Sequence, residues 1–95
     1  MKKKPMLYVD FNEMLGPNLV LLSVEDKKID SNGEAIALYE GLEVIVYMDD
    51  IGDNRKIDNL VARGVVERNF TTGWGHHVKW CCRIDSNGIK HESEP

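Results

Sequence analysis

The run from Trp74 to Gly88, Trp-Gly-His-His-Val-Lys-Trp-Cys-Cys-Arg-Ile-Asp-Ser-Asn-Gly, constrains the fold more than any other stretch. It holds both tryptophans, both cysteines and two of the three histidines. Read with the two-residue period of a strand, Trp74, His76, Val78, Trp80, Cys82 and Ile84 share one face, while His77, Lys79, Cys81, Arg83 and Asp85 share the other. The first face is apolar apart from one histidine, and the second is polar apart from one cysteine. That is the pattern of a long antiparallel strand with one side in a core and one in water, ended by a turn at Asp85-Ser86-Asn87-Gly88.

The remaining segments read in the same way. Met6 to Val9 suits a short first strand, followed by a helical turn over Phe11 to Leu15 in which Asp10 caps and Gly16-Pro17 stops. Asn18 to Val24 is almost continuously apolar, as expected of a strand covered on both faces. The Asn32-Gly33 pair predicts a hairpin leading into a strand over Glu34 to Tyr39, because both residues tolerate positive φ. Leu42 to Met48 is rich in β-branched and aromatic residues and predicts a core strand. Leu60 to Arg68 predicts another, with Leu60, Ala62, Gly64 and Val66 on one side and a bulge at Gly64. A last short strand is expected at Ile89 to His91.

Five or six short strands and tight glycine-containing turns predict an all-β chain. Its expected form is a small, strongly bent antiparallel barrel of SH3-like type, with an OB-type barrel and an α+β arrangement as alternatives. At 95 residues it is expected to be one domain over residues 5–91, with flexible tails at 1–4 and 92–95 and a radius of gyration of roughly 12 Å. Ile29 to Gly33 and Ile84 to Gly88 are the same five residues, Ile-Asp-Ser-Asn-Gly, each preceded by a base. Unmatched flanks point to reuse of good turn grammar, with Asp opening a type I turn and Gly closing it in the left-handed region.

Charge and chemistry narrow the function classes. A net charge of −4 works against general attraction to phosphate backbones or anionic membranes. Adjacent cysteines at 81 and 82 cannot frame a disulfide scaffold and suit a reducing, cytoplasmic setting. Neither a secretory h-region nor a run approaching the ~20 apolar residues of a membrane span is present. His76, His77, Cys81, Cys82 and His91 invite a metal reading, but strand alternation allots at most two to a face, and no Cys-x2-Cys or His-x3-His spacing occurs. The aspartates between Asp49 and Asp58 do not follow the calcium-loop order. His77 and Cys81 on one strand would stand about 13 Å apart, too far for a nucleophile and its base. No cofactor fingerprint appears, so no cofactor is expected and an enzyme is disfavoured.

Binding is the function class that remains. The expected surface joins Tyr47 and Trp74 to the acidic segment through Asp49, Asp50 and Asp53, with His77 beside it, and the carboxylates select a basic protein or peptide partner. Single-stranded nucleic acid, stacked on Tyr8, Phe70 or Trp74 near Lys79 and Arg83, is the alternative, and the net charge counts against it. Pairing of an exposed strand edge with a second copy would also use such a surface, so a monomer and an edge-strand homodimer are both expected states.

Overall fold

The strand that organises the sheet is Leu60–Arg68 (β7), and the tryptophan strand is one of its neighbours. A computed structural model describes residues 4–50, 57–73 and 75–93. Besides β7 it contains β1 (Met6–Tyr8), β2 (Met14–Gly16), β3 (Leu19–Ser23), β4 (Lys27–Ile29), β5 (Ala35–Ala37), β6 (Glu43–Met48), β8 (Trp80–Ile84) and β9 (Lys90–His91). No helix occurs among the described residues. The chain is all-β, and its radius of gyration is 13.2 Å.

Alternation along β7 explains its central place. Ala62, Gly64 and Val66 turn inward and are buried, while Arg63 and Val65 turn outward and are exposed. One edge of β7 pairs with β6 from Glu43↔Val65 to Met48↔Leu60. The other pairs first with β8, from Gly64↔Ile84 to Arg68↔Trp80, and then with β9 at Leu60↔His91 and Val61↔Lys90. The hydrogen-bonded path runs β1-β6-β7-β8-β3-β2, with β4 and β5 in a separate two-stranded sheet. The path ends at β1 and β2 without pairing them, so the sheet is open and is not the closed barrel expected from strand rhythm.

Other expectations also change. β1 runs parallel to β6, with Tyr8↔Tyr47 in register, so the sheet is not purely antiparallel. Phe11 to Leu15 is no helical turn: Asp10 Oδ1 accepts from the Asn12 amide, Glu13 N donates to Asp10 O, and the chain extends into β2. Gly64 carries no bulge, since the β6–β7 ladder passes it without a shift and the β7–β8 ladder ends at it in regular register; irregular register falls instead in β2–β3 and β3–β8. Gly64 sits instead in a crowded place, because a Cβ there would lie 2.5 Å from the Arg83 carbonyl oxygen and 2.5 Å from Cys82 Sγ.

The tryptophan strand begins at Trp80, six residues later than its alternation predicts. Gly75 takes a positive φ of 80° and the 75–77 segment is a turn. Asn69 fastens that turn by donating its side-chain amide to the Gly75 and Val78 carbonyls at 2.9 and 2.8 Å. The turn covers the outer face of β3 and β8, where Leu21, Val78 and Cys81 are buried against Leu15 and Leu19. Cys81 is therefore in a small second core and not in water. The main core holds Leu7, Val20, Val44, Val46, Val66, Trp80 and Cys82 on the inner face, and β3 is covered on both sides as its composition predicts.

Both Ile-Asp-Ser-Asn-Gly segments make the same turn. Gly33 N donates to Asp30 O and Gly88 N to Asp85 O, while Asp30 Oδ1 and Asp85 Oδ1 accept from the amides of Asn32 and Asn87. Gly33 and Gly88 close them at φ of 84° and 70°.

Candidate functional site

Tyr47 is outward-facing on β6 and half-buried, its ring edge-to-face with Tyr8 at 5.5 Å between centroids. Their registration across the parallel β1–β6 pair makes this contact. Tyr8 is 45% exposed and lines a cleft of about 570 Å³ whose other walls come from the end of β3, the whole of β4 and the 77–78 segment. Val24 and Ile29, 58% and 60% exposed, line the same cleft, as does His77. Large apolar surface left in water at one place marks an interaction site more than scattered apolar residues do.

Asp10, Glu13 and Glu25 also line the cleft. Among the described residues none of these three carboxylates has an ion-pair partner. On the cationic side, Lys28 points inward and donates to the Leu22 carbonyl at 3.1 Å, burial lowering its pKa. Lys27 is exposed. The rim thus offers carboxylates to water while one of its two ammonium groups is spent on the fold.

Tyr47 and His77 are accordingly brought towards one surface, through Tyr8, a residue the acidic-loop reading overlooked. The signal for it was the alternation of β1, which turns Tyr8 outward beside a buried Leu7. Asp49 is exposed, and Asp50 Oδ2 lies 2.8 Å from His91 Nε2; neither lines the cleft. Asp58 accepts from the Ser93 hydroxyl at 2.7 Å. Asp53 and Trp74 lie outside the described residues.

The bases weighed for nucleic-acid contact are already engaged. Lys79 Nζ lies 2.6 Å from Asp26 Oδ1, which also accepts from the Trp80 indole at 3.0 Å; the Lys79 ammonium, then the indole N–H, hold the Asp26 carboxyl below its usual pKa. Arg83 grips Glu67 with Nε at 2.6 Å and Nη2 at 3.1 Å, which raises the guanidinium pKa. His77 and Cys81 no longer belong to one strand, and burial pushes the Cys81 thiol up to about 11 and the Cys82 thiol up to about 12. Neither is an activated nucleophile at neutral pH. Among the described residues no group of three or more His, Cys, Asp or Glu side chains could hold a metal ion.

Two shallow hollows of about 470 and 480 Å³ share Met6, Ile45 and Arg63 on the outer face. Asn87 and Gly88 of one repeated turn wall the first, and Ser31 and Asn32 of the other wall the second. No family model, curated protein or solved structure matches the chain.

Proposed function

We propose that the chain is a protein-interaction module that docks a basic peptide or protein segment in the cleft between Tyr8 and Val24 to Ile29. The observation that carries this reading is the gathering of Tyr8, Val24 and Ile29, all exposed, in one hollow rimmed by Asp10, Glu13 and Glu25. Apolar side chains of a partner would remove that surface from water at about 25 cal/mol per Å², and lysine or arginine beside them would meet carboxylates that have no cation of their own. In this reading the bent sheet is of SH3-like kind left open at a seam, the binding cleft lies along the β1 side of that seam, and the protein works in a reducing, cytoplasmic setting as a non-enzymatic module.

The test is a titration of the protein with a fluorescent lysine- and valine-rich peptide and, in parallel, a single-stranded oligothymidylate. The peptide should bind saturably at low salt. Glu25→Lys combined with Asp10→Lys should weaken it at least tenfold, since like charge across an interface costs several kcal/mol. Binding of the oligonucleotide with a steep loss of affinity in salt, and none of the peptide, would replace this reading with the nucleic-acid one.

A further inference from the structure

The free edge of β1 adds a main-chain recognition element to the cleft. In a parallel pair one residue of each registered couple bonds to both neighbours of its partner, and the other turns its amide and carbonyl away. Val9 N donates to Tyr47 O, and Ile45 N donates to Pro5 O. The odd-numbered residues of β1 therefore face β6, and Met6 and Tyr8 present their peptide groups to the opposite side. Met6 O is taken by Ser31 N at 2.9 Å, which closes that edge at its first residue. Beyond it β4 pairs with β5 rather than with β1, and among the described residues nothing bonds to the N–H or C=O of Tyr8, a residue that lines the cleft.

Unpaired strand edges in stable proteins are guarded by charge, proline, a bulge or a covering segment. Within Met6-Leu7-Tyr8 there is no charge or proline, and the β1–β6 register is unbroken. We infer that an extended basic segment of a partner protein adds to this edge as a short strand, one of its residues exchanging both main-chain hydrogen bonds with Tyr8. This rests on the reading of the cleft as a docking site and specifies how it binds. The pairing residue sets its side chain beside the Tyr8 ring, where cross-strand neighbours stand about 5 Å apart, so an apolar residue suits it. Lysine or arginine on either side reaches Asp10, Glu13 and Glu25. A second copy of this chain fits less well, because the net charge of −4 and the acidic rim would repel their own likeness.

Proline at position 8 provides the discriminating variant, because it deletes an N–H the fold does not use, and proline is tolerated on a strand edge whose N–H faces solvent. Tyr8→Ala removes the same ring and keeps the N–H. The probe is an N-acetylated, C-amidated nonapeptide of alternating lysine and valine, titrated against the full chain by calorimetry at low salt. Tyr8→Pro should bind about fivefold or more weakly than Tyr8→Ala, the loss of one main-chain hydrogen bond, with both variants matching the parent's urea midpoint apart from the lost ring packing. Equal affinities for Tyr8→Pro and Tyr8→Ala, both below the parent, would overturn strand addition and leave docking in the cleft intact. Parental affinity in both variants, or no saturable binding to the parent, would overturn both. If Tyr8→Pro fails to fold, N-methylation of the central valine, titrated against the parent, takes its place; an unchanged affinity refutes strand addition. A parent that sediments as a dimer while Tyr8→Pro is monomeric would give the edge to a second copy and refute the basic segment as its occupant.

Discussion

Gly64→Ala tests the packing on which the whole sheet depends. Gly64 faces inward on β7 between two strands, and its φ lies outside the left-handed region, so alanine meets no backbone strain there. The obstacle is space. The new methyl would lie 2.5 Å from the Arg83 carbonyl oxygen and 2.5 Å from Cys82 Sγ, about 1 Å inside an ordinary contact on each side. The carbonyl belongs to β8, which the Gly64↔Ile84 pair holds in register, so relief requires β7 and β8 to part and weaken ladder bonds. Overpacking of this kind costs about 1–3 kcal/mol, reduced by roughly 0.5–1 kcal/mol because alanine has less freedom to lose on folding. A net loss of about 1 kcal/mol is a sizeable share of the ~5–15 kcal/mol that stabilises a domain, and it lowers the melting temperature by ~4–8 °C. Urea unfolding should show a lower midpoint with an unchanged m-value. Cys82→Ala removes one of the two obstacles, so the double variant should be less destabilised than the sum of the single ones by about 1 kcal/mol. A Gly64→Ala protein within ~0.5 kcal/mol of the parent, or strict additivity with Cys82→Ala, would refute close approach of β7 and β8 at this point.

The two thiols make stability fall in alkali. The unfolded chain releases these protons near the ordinary value of 9.0, whereas burial holds Cys81 to about 11 and Cys82 to about 12. The contribution is fully present below pH 9 and is lost as pH rises through the folded values, by up to ~1.4 kcal/mol per unit per thiol. Urea midpoints from pH 7 to 10.5 should fall more steeply for the parent than for Cys81→Ala/Cys82→Ala, and parallel curves would disprove the burial of the thiols. Gly33→Ala and Gly88→Ala should each cost ~1–2 kcal/mol, since φ of 84° and 70° disfavours any Cβ while nothing lies within 4 Å of the new atom. Asparagine, which accepts that region, should recover much of the loss at both sites; similar thermal midpoints for the alanine and asparagine variants would show that backbone conformation is not the cause.

What could be read from the chain beforehand was whatever local forces decide. The set Leu60, Ala62, Gly64 and Val66, the strand expected over Leu42 to Met48 and the repeated Asp-Ser-Asn-Gly turns each follow from side-chain period or from bonds within a few residues; the structure buries all of the set but Leu60, which is half-buried, forms the strand over Glu43–Met48, and makes both turns. The alternation over residues 75–78 misleads for a tertiary reason. Asn69 binds the Gly75 and Val78 carbonyls, and glycine at 75 allows a close approach, since a Cβ there would lie 3.1 Å from a Leu15 methyl and 3.3 Å from the Leu21 methyls. That contact roofs Cys81, which no periodicity could place in a core. The parallel pairing of β1 with β6 spans nearly forty residues and has no local signature at all.

The same distinction governs the candidate site. His77 is exposed because it sits in a turn, not through strand alternation; sequence could mark it and Tyr47 as candidate contacts and could supply the acidic character expected to attract a basic partner. It could not choose which carboxylates would serve. Asp50 is drawn to His91 by the way β9 continues the edge of β7 beyond β8, whereas Asp10, Glu13 and Glu25, which come from turns with other tasks, meet around the seam. A cleft of this kind is made by the pairings a sheet omits. Three residues of β1 receive β6 on one side and a single bond from Ser31 on the other, and that incomplete edge is what leaves Tyr8 both a ring and a peptide group to offer.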